Sequence, residues 1–502
     1  MSKKVIIIGA GLGGLATALR LATRGYKVEI VEKYHQAGGR LNQIKQDGFT
    51  FDMGPSFFSM SYEFEELFKD CGVENNPLQF NELDPLYAVY FAGKQKPYLI
   101  YKDLARLAKE FEAIEPDFEA KVKRYLGQAK GIFHDTEYRI VKRNYGSLFD
   151  YAKALASVPL KHAPKLFRTM WGELGQHFTA QEVKVIFSLV AFFLGSTPFE
   201  TPAVYSLLNY TELEHDGYWN VQGGMYRITE VMLDLLAQHD VKIHYNTEIC
   251  AYEPDESGQI KAFVDQHGHR WTADLFVANA DAAAFRGQIM ERKKYREEKL
   301  DRMDWTLAPY TIYLGVKGNI PNFYHHNYFL GDNFNDYASK IFKMSVSPEK
   351  PYYYVNASLK SNPGCAPEGH ENLFILCPVP DLRYKSDWSD RETLADTIIE
   401  DLGNRIGYNL LQNTATRRII DPVEWGETFN LYKGSGLGLA HGLNQVGGMR
   451  PRNKDEKYNN LYYVGASTTP GTGLPIVVIS SRLATEHILK EHPTERKLLQ
   501  TI

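Results

Sequence analysis

A chain of 502 residues is too long for one ordinary hydrophobic core, so two or three domains are expected. Its 57 basic and 61 acidic side chains leave a formal charge of −4, which excludes a general attraction to nucleic acid and requires any membrane contact to be local. The four cysteines, Cys71, Cys250, Cys365 and Cys377, form no CxxC pair; this argues against a disulfide framework and against a zinc site, and fits a reducing compartment.

The first forty residues read as a phosphate-cradling βαβ unit. Val5 to Ile8 is a short β-branched strand that feeds Gly9, Gly11 and Gly14 in the order G-x-G-x-x-G. Gly9 permits a tight turn, Gly11 lets the backbone approach a pyrophosphate, and Gly14 lets the next helix close on the strand. Leu15 to Ala22 is helical, Gly25 stops it, and Val28 to Val31 forms a second strand ending at Glu32, where an acid binds ribose hydroxyls. Glu32 also speaks against NADP, whose 2′-phosphate would meet a like charge, and for NAD or FAD. The amino terminus enters the first strand directly after Lys3-Lys4, so no cleaved signal peptide is expected and a cytoplasmic location is.

Gly38-Gly39-Arg40 follows, a glycine pair joined to a guanidinium able to reach phosphate. Gly48 to Pro55 reads as an alternating strand ending in a Gly-Pro turn, where backbone can approach a flat ring. From Tyr62 to Cys71 the spacing of Phe64, Leu67 and Phe68 predicts a helix.

From about residue 75 to 210 the glycine signals fade into mixed helix and strand. Leu160 to Arg168 sets Lys161, His162, Lys165 and Arg168 among apolar residues, a basic patch that suits an anionic membrane surface or a solvated helix face. Ile186 to Leu194 is apolar on all sides and must be buried. Val183 to Leu194 comes nearest to a spanning helix but is too short and carries Lys184.

Tyr218 to Met225 holds the turn Gly223-Gly224 ahead of a helix from Ile228 to Leu236 and a strand from Val241 to Tyr245. Leu275 to Asn279 reads as a further buried strand that completes a parallel sheet begun in the first forty residues. Strands at Tyr310 to Val316, Tyr352 to Asn356 and Leu373 to Val379 predict a second sheet, roofed by the 75–210 helices. The last strand, Asn460 to Ala466, leads through Pro470 to Pro475 into a helix from Ile476, whose N-terminus is again an anion or carbonyl site.

Gly9 to Gly14, Glu32, Gly38-Gly39-Arg40, F-T-F-D-M-G-P at 49–55, Gly223-Gly224, Ala366 to Gly369, Cys377 to Pro380, Arg450-Pro451 and G-A-S-T-T-P-G-T-G-L-P-I at 465–476 together resemble the bacterial carotenoid desaturases over the whole chain. The resemblance implies an α/β fold: a Rossmann-like FAD-binding domain of the amine-oxidase and glutathione-reductase-like superfamily, with an inserted mixed sheet and helical substrate domain. On this reading 1–74, 212–290 and 441–502 form the discontinuous FAD-binding domain, and 75–211 and 291–440 the substrate and membrane-associating domain. FAD would meet Gly9, Gly11, Leu12 and Gly14 at its pyrophosphate, Glu32 at its ribose and Ile249 near its adenine. Gly39 and Arg40 would reach the linker, with Asn279, Gly465 and Ala466 close by. The ring system would sit between Gly54, Pro55 and Ser56 on one side and Gly473, Leu474, Pro475 and Ile476 on the other. Many relatives read T-H-P-G where this chain has Thr469, so that histidine's role does not carry over.

The resemblance further implies hydride transfer to the flavin and proton loss from a hydrophobic carotenoid taken up at a membrane surface, with oxygen or quinone as the electron acceptor and no nucleic acid as partner. The expected location is the inner face of the membrane, peripherally. Its wording is closest to enzymes that introduce a 3,4 double bond into 1-hydroxylated acyclic or monocyclic carotenoids. Phytoene or diapophytoene desaturation and a soluble amine oxidase are the alternatives, and a flavin-free prenyl-binding chaperone is weighed against by the intact glycine triplet and Glu32. For an acid or base the resemblance points to Asp150 with Lys153, although Asp150 also suits a helix cap; His215 and Asp216 are further candidates.

Overall fold

The computed structural model describes residues 2–320 and 323–494. A parallel five-stranded sheet runs in the order 461–463, 275–278, 4–8, 27–31, 242–244. Its central strands are almost continuously apolar because both faces are covered. Val5, Ile7, Val28 and Ile30 pack on the helices Leu12–Ala22, Arg227–Ala237 and Leu474–Glu491. Ile6, Ile8, Val31 and Phe276 pack on the three-stranded meander that holds Ile249, Ile260 and Trp271. The chain leaves Lys4–Ile8 toward one neighbour and returns on the other side, so the glycine turn after that strand lies at the point where strand order reverses.

A mixed seven-stranded sheet runs in the order 414–420, 308–317, 370–379, 353–356, 326–330, 87–91, 98–100. Among these pairs only 326–330 with 87–91 is parallel. One face turns Tyr313, Tyr328, Tyr354 and Phe374 toward helices that carry Phe118, Tyr125, Leu174 and Phe187, the roof expected from the sequence. The other face is covered by the helix Arg391–Ile406, whose Leu394, Ala395, Ile398, Ile399 and Leu402 recur at helical spacing, an element not among those expected above from the sequence.

The basic stretch at 160–168 is not a single helix. It breaks into a turn at Leu160–His162 and a four-residue helix at Pro164–Phe167, because Pro164 cannot continue a helix from the preceding turn. Among the described residues no helix is long and apolar enough to cross a membrane.

Candidate functional site

The glycine turn is built so that only glycine fits. Gly9 has φ +100°, and a Cβ there would lie 2.4 Å from the Asn279 carbonyl oxygen; a Cβ on Gly14 would lie 2.1 Å from the Gly9 oxygen. Gly11 bridges Gly38, and a Cβ on Gly39 would stand 3.2 Å from the Gly11 Cα. No side chain caps the helix Leu12–Ala22, so its first N–H groups are open to an anion. Glu32 is buried at the end of the second strand and accepts from the backbone N–H of Ala10 at 2.6 Å and of Tyr34 at 2.8 Å. Burial raises its carboxyl, and these N–H groups oppose the rise. Thr247 ties the edge carrying Ile249 to Glu32 by donating its N–H to the Glu32 carbonyl at 2.8 Å.

Arg40 donates to the Gly436 carbonyl at 2.7 Å, and Gly54 packs against the Arg40 backbone so closely that a Cβ would lie 2.4 Å from its oxygen. The helix Leu474–Glu491 also begins without a side-chain cap. Gly11, Gly39, Arg40, Gly54, Pro55 and Leu474 to Ile476 are only half-buried although the strands beneath them are closed to solvent, and Gly11 with Gly39 and Gly54 with Arg40 meet backbone to backbone.

Several side chains fasten the groove together, and the sequence singled out few of them. Asn279, expected near the cofactor, lies behind the two glycine turns. Its Nδ2 donates to the Gly9 carbonyl at 3.3 Å, and its Oδ1 would be 2.6 Å from a Cβ on Gly465. Asp52 accepts from Met225 N–H at 2.9 Å and Tyr226 N–H at 3.1 Å, which pins the Gly223-Gly224 turn to the strand Phe49–Asp52; burial pushes its carboxyl up to about 6. Arg450 is fully buried and donates to five carbonyls, those of Leu439, Ala440, Gln445, Ala466 and Thr468. His441 accepts from Thr472 N–H at 3.2 Å through Nε2, its Nδ1 faces the Leu194 carbonyl at 3.5 Å, and burial pulls it down to about 3. With both ring nitrogens engaged, this neutral imidazole positions the turn before Leu474 and moves no proton.

Beyond Ser56 an aromatic interior begins. Phe57 stacks on His326 at 4.0 Å between centroids and meets Tyr218 edge-on at 4.8 Å. Ser56 and Asn356 hydrogen-bond the Tyr354 hydroxyl, which lies 2.6 Å from His326 Nδ1. Asn356 Nδ2 donates to the His325 carbonyl and also faces His326 Nδ1, so Nδ1 is the acceptor and Nε2 carries the proton. Tyr218, Tyr328 and Tyr354 keep 6–9% exposure inside this core.

The acid–base candidates fall elsewhere. Asp150 is half-exposed in the first turn of Leu148–Ala156, where its N–H donates to Ser147 Oγ at 3.1 Å and its carboxylate accepts from that hydroxyl at 2.9 Å, a reciprocal helix-cap arrangement. Lys153 is exposed on the same helix. His215 stacks on Tyr210, and Asp216 accepts from the Ser61 N–H and hydroxyl. None of these contacts brings them to Gly54–Ser56.

These residues fit FAD: two uncapped helix N-termini, glycines no larger residue could replace, a buried carboxylate at the end of the second strand and one guanidinium. A flavin-containing amine oxidoreductase family model matches residues 12–489. The chain is similar to a zeta-carotene-forming phytoene desaturase of Myxococcus xanthus, 33% identical over 97% of this chain and 94% of that protein. It is also similar to a carotenoid 3,4-desaturase of Haloarcula japonica, 28% identical over 97% and 98%. The cyclohexylamine oxidase of Brevibacterium oxydans shares the fold, with a TM-score of 0.62 at 15% identity over 98% of this chain and 99% of that one.

Proposed function

This chain belongs to the flavin-containing amine oxidoreductase family, and from that premise we propose that it acts in carotenoid biosynthesis on a 1-hydroxylated acyclic or monocyclic carotenoid, introducing a C-3,4 double bond. The observation that carries the reading is the aromatic interior that starts at Phe57, one residue past the turn Gly54-Pro55-Ser56. Bound FAD would supply the two-electron oxidation, as hydride acceptor. The chain's own residues supply alignment and dryness: Phe57, Tyr218 and Tyr328 offer flat apolar walls to a polyene, and burial of the two tyrosines keeps water from the reacting carbons.

A carotenoid resting in lipid gains almost nothing by moving into an apolar cavity, so uptake depends on contact with the bilayer rather than on tight binding. A face suited to that contact carries Leu148, Phe149, Leu160, Phe167, Leu443 and Met449, all exposed. Beside it Leu166, Phe167 and Leu443 line an open recess of about 390 Å³. The recess also includes Gly442, next to His441, which touches the turn before Leu474. The charges of the 160–168 stretch are largely engaged by protein, since Lys165 and Arg168 both pair with the buried Glu173. Apolar insertion therefore dominates the docking. Oxygen or a membrane quinone would accept the two electrons.

Desaturation of phytoene is the second reading, favoured by the identity to the Myxococcus protein. Purified protein incubated with FAD, liposomes and a panel of carotenoids decides between them. Spectral lengthening with hydroxylated substrates is expected; activity on phytoene and none on hydroxylated carotenoids would reject the proposal.

A further inference from the structure

Glu212 is an acid in a place that disfavours one. It lies in the π-helical turn Thr211–His215 and is 2% exposed. Tyr87 and Asn209 hydrogen-bond its carboxyl, yet Oε2 has no partner among the described residues. The surrounding side chains are rings: Tyr87 stands 6.3 Å from Tyr218 and 5.5 Å from Tyr328 between centroids, and Tyr218 meets Phe57 edge-on. Burial pushes the Glu212 carboxyl up to about 7 and, with Glu212 nearby, holds the Tyr218 phenol well above its ordinary range.

A buried oxygen without a hydrogen bond is costly, and a π-turn is itself a frequent mark of a working site. Edge-on to the Tyr218 ring at 6.3 Å between centroids, His326 has at Nε2 a second polar atom without a partner among the described residues. One acceptor and one donor thus stand without a partner among the described residues, in an interior built mainly of aromatic rings. Resting on the function proposed above, we infer that Glu212, with Tyr218 beside it, is the receptor for the hydroxyl of the bound carotenoid, taking its hydrogen bond at Oε2 and fixing which end of the polyene enters the aromatic interior. A polyene without a hydroxyl would leave that oxygen bare, so the receptor discriminates between end groups. Indifferent apolar walls cannot do this.

The test uses the FAD-loaded enzyme on liposomes with two substrates that differ only in the hydroxyl, comparing wild type, Glu212→Gln and Glu212→Leu. Leucine removes the acceptor and fills the space with hydrocarbon, so KM for the hydroxylated polyene is expected to rise about 10- to 100-fold while KM for the deoxy polyene changes less than about twofold. Glutamine keeps an acceptor oxygen and is expected to fall between. Flavin content, and melting temperature at pH 5 where the carboxyl is neutral, should stay near wild type in each variant. Equal loss on both substrates, or no loss on either, overturns the receptor. The proposed substrate class is tested separately, by the wild-type preference alone: an enzyme that turns over only the deoxy polyene refutes that class. In such a case, inhibition by the hydroxylated polyene that Glu212→Leu fails to weaken also overturns the receptor, and inhibition that it does weaken supports it.

Discussion

Arg450 offers the sharpest test of how the groove is held. Its guanidinium reaches the carbonyls of Leu439, Ala440 and Gln445 on one loop and of Ala466 and Thr468 on the loop after the last strand, at 2.8–3.3 Å. Burial pulls it down to about 10 from 12.5, a desolvation cost of about 3 kcal/mol. At about 1 kcal/mol net for each hydrogen bond, the five contribute about 5 kcal/mol. Arg450→Met removes both, so a net loss of about 2 kcal/mol is expected, rising toward 4 as the bare carbonyls are left without water. Because Ala466 follows Gly465, which lies against Asn279 behind the Gly9 turn, the damage should be read first in the cofactor: flavin absorbance retained after gel filtration should drop sharply, and FAD titration should show affinity weakened about tenfold or more. Arg450→Lys keeps the charge but cannot span both loops, and should lose nearly as much. A Met variant with wild-type melting and wild-type flavin content would refute the clamp.

Gly39→Val places a branched side chain at φ +59° against Gly11, and is expected to abolish flavin retention while leaving a folded apoprotein, checked by absorbance and circular dichroism. The raised Glu212 carboxyl makes its contribution to stability complete below about pH 4.5 and lost as pH climbs through about 7; ionisation at pH 8 costs about 3 kcal/mol. The melting temperature of Glu212→Gln should therefore gain on wild type between pH 5 and pH 8, and a constant difference would contradict the burial. Phe149→Glu combined with Phe167→Glu removes two exposed rings, each worth about 1.5–3 kcal/mol when buried, and should reduce liposome sedimentation by about 100-fold or more without changing the melting temperature.

The glycine turn, the strands beside it and the final helix were legible because their causes are local. Gly9, Gly14 and Gly39 sit where backbone angles or contacts forbid a side chain, and continuous apolar runs such as Val5 to Ile8 announce a strand covered on both faces. The helix Arg391–Ile406 was equally local, its spacing visible but overshadowed by the strands around it. Asp150 shows the opposite limit: a helix-capping acid and an acid facing a substrate are the same letter, and only the Ser147 contact tells what this one does in the fold.

Sequence alone thus determined the phosphate turn and the strand–helix rhythm that builds the groove, since each depends on neighbours within a few positions. Tertiary structure decided the rest. Asn279 meets Gly9 across 270 positions, Asp52 meets Met225 across 173, and Glu212 becomes a bare oxygen only because tyrosines from three separate segments close around it. Such contacts carry no local signature, because burial and partner are properties of the packed chain and not of the residue.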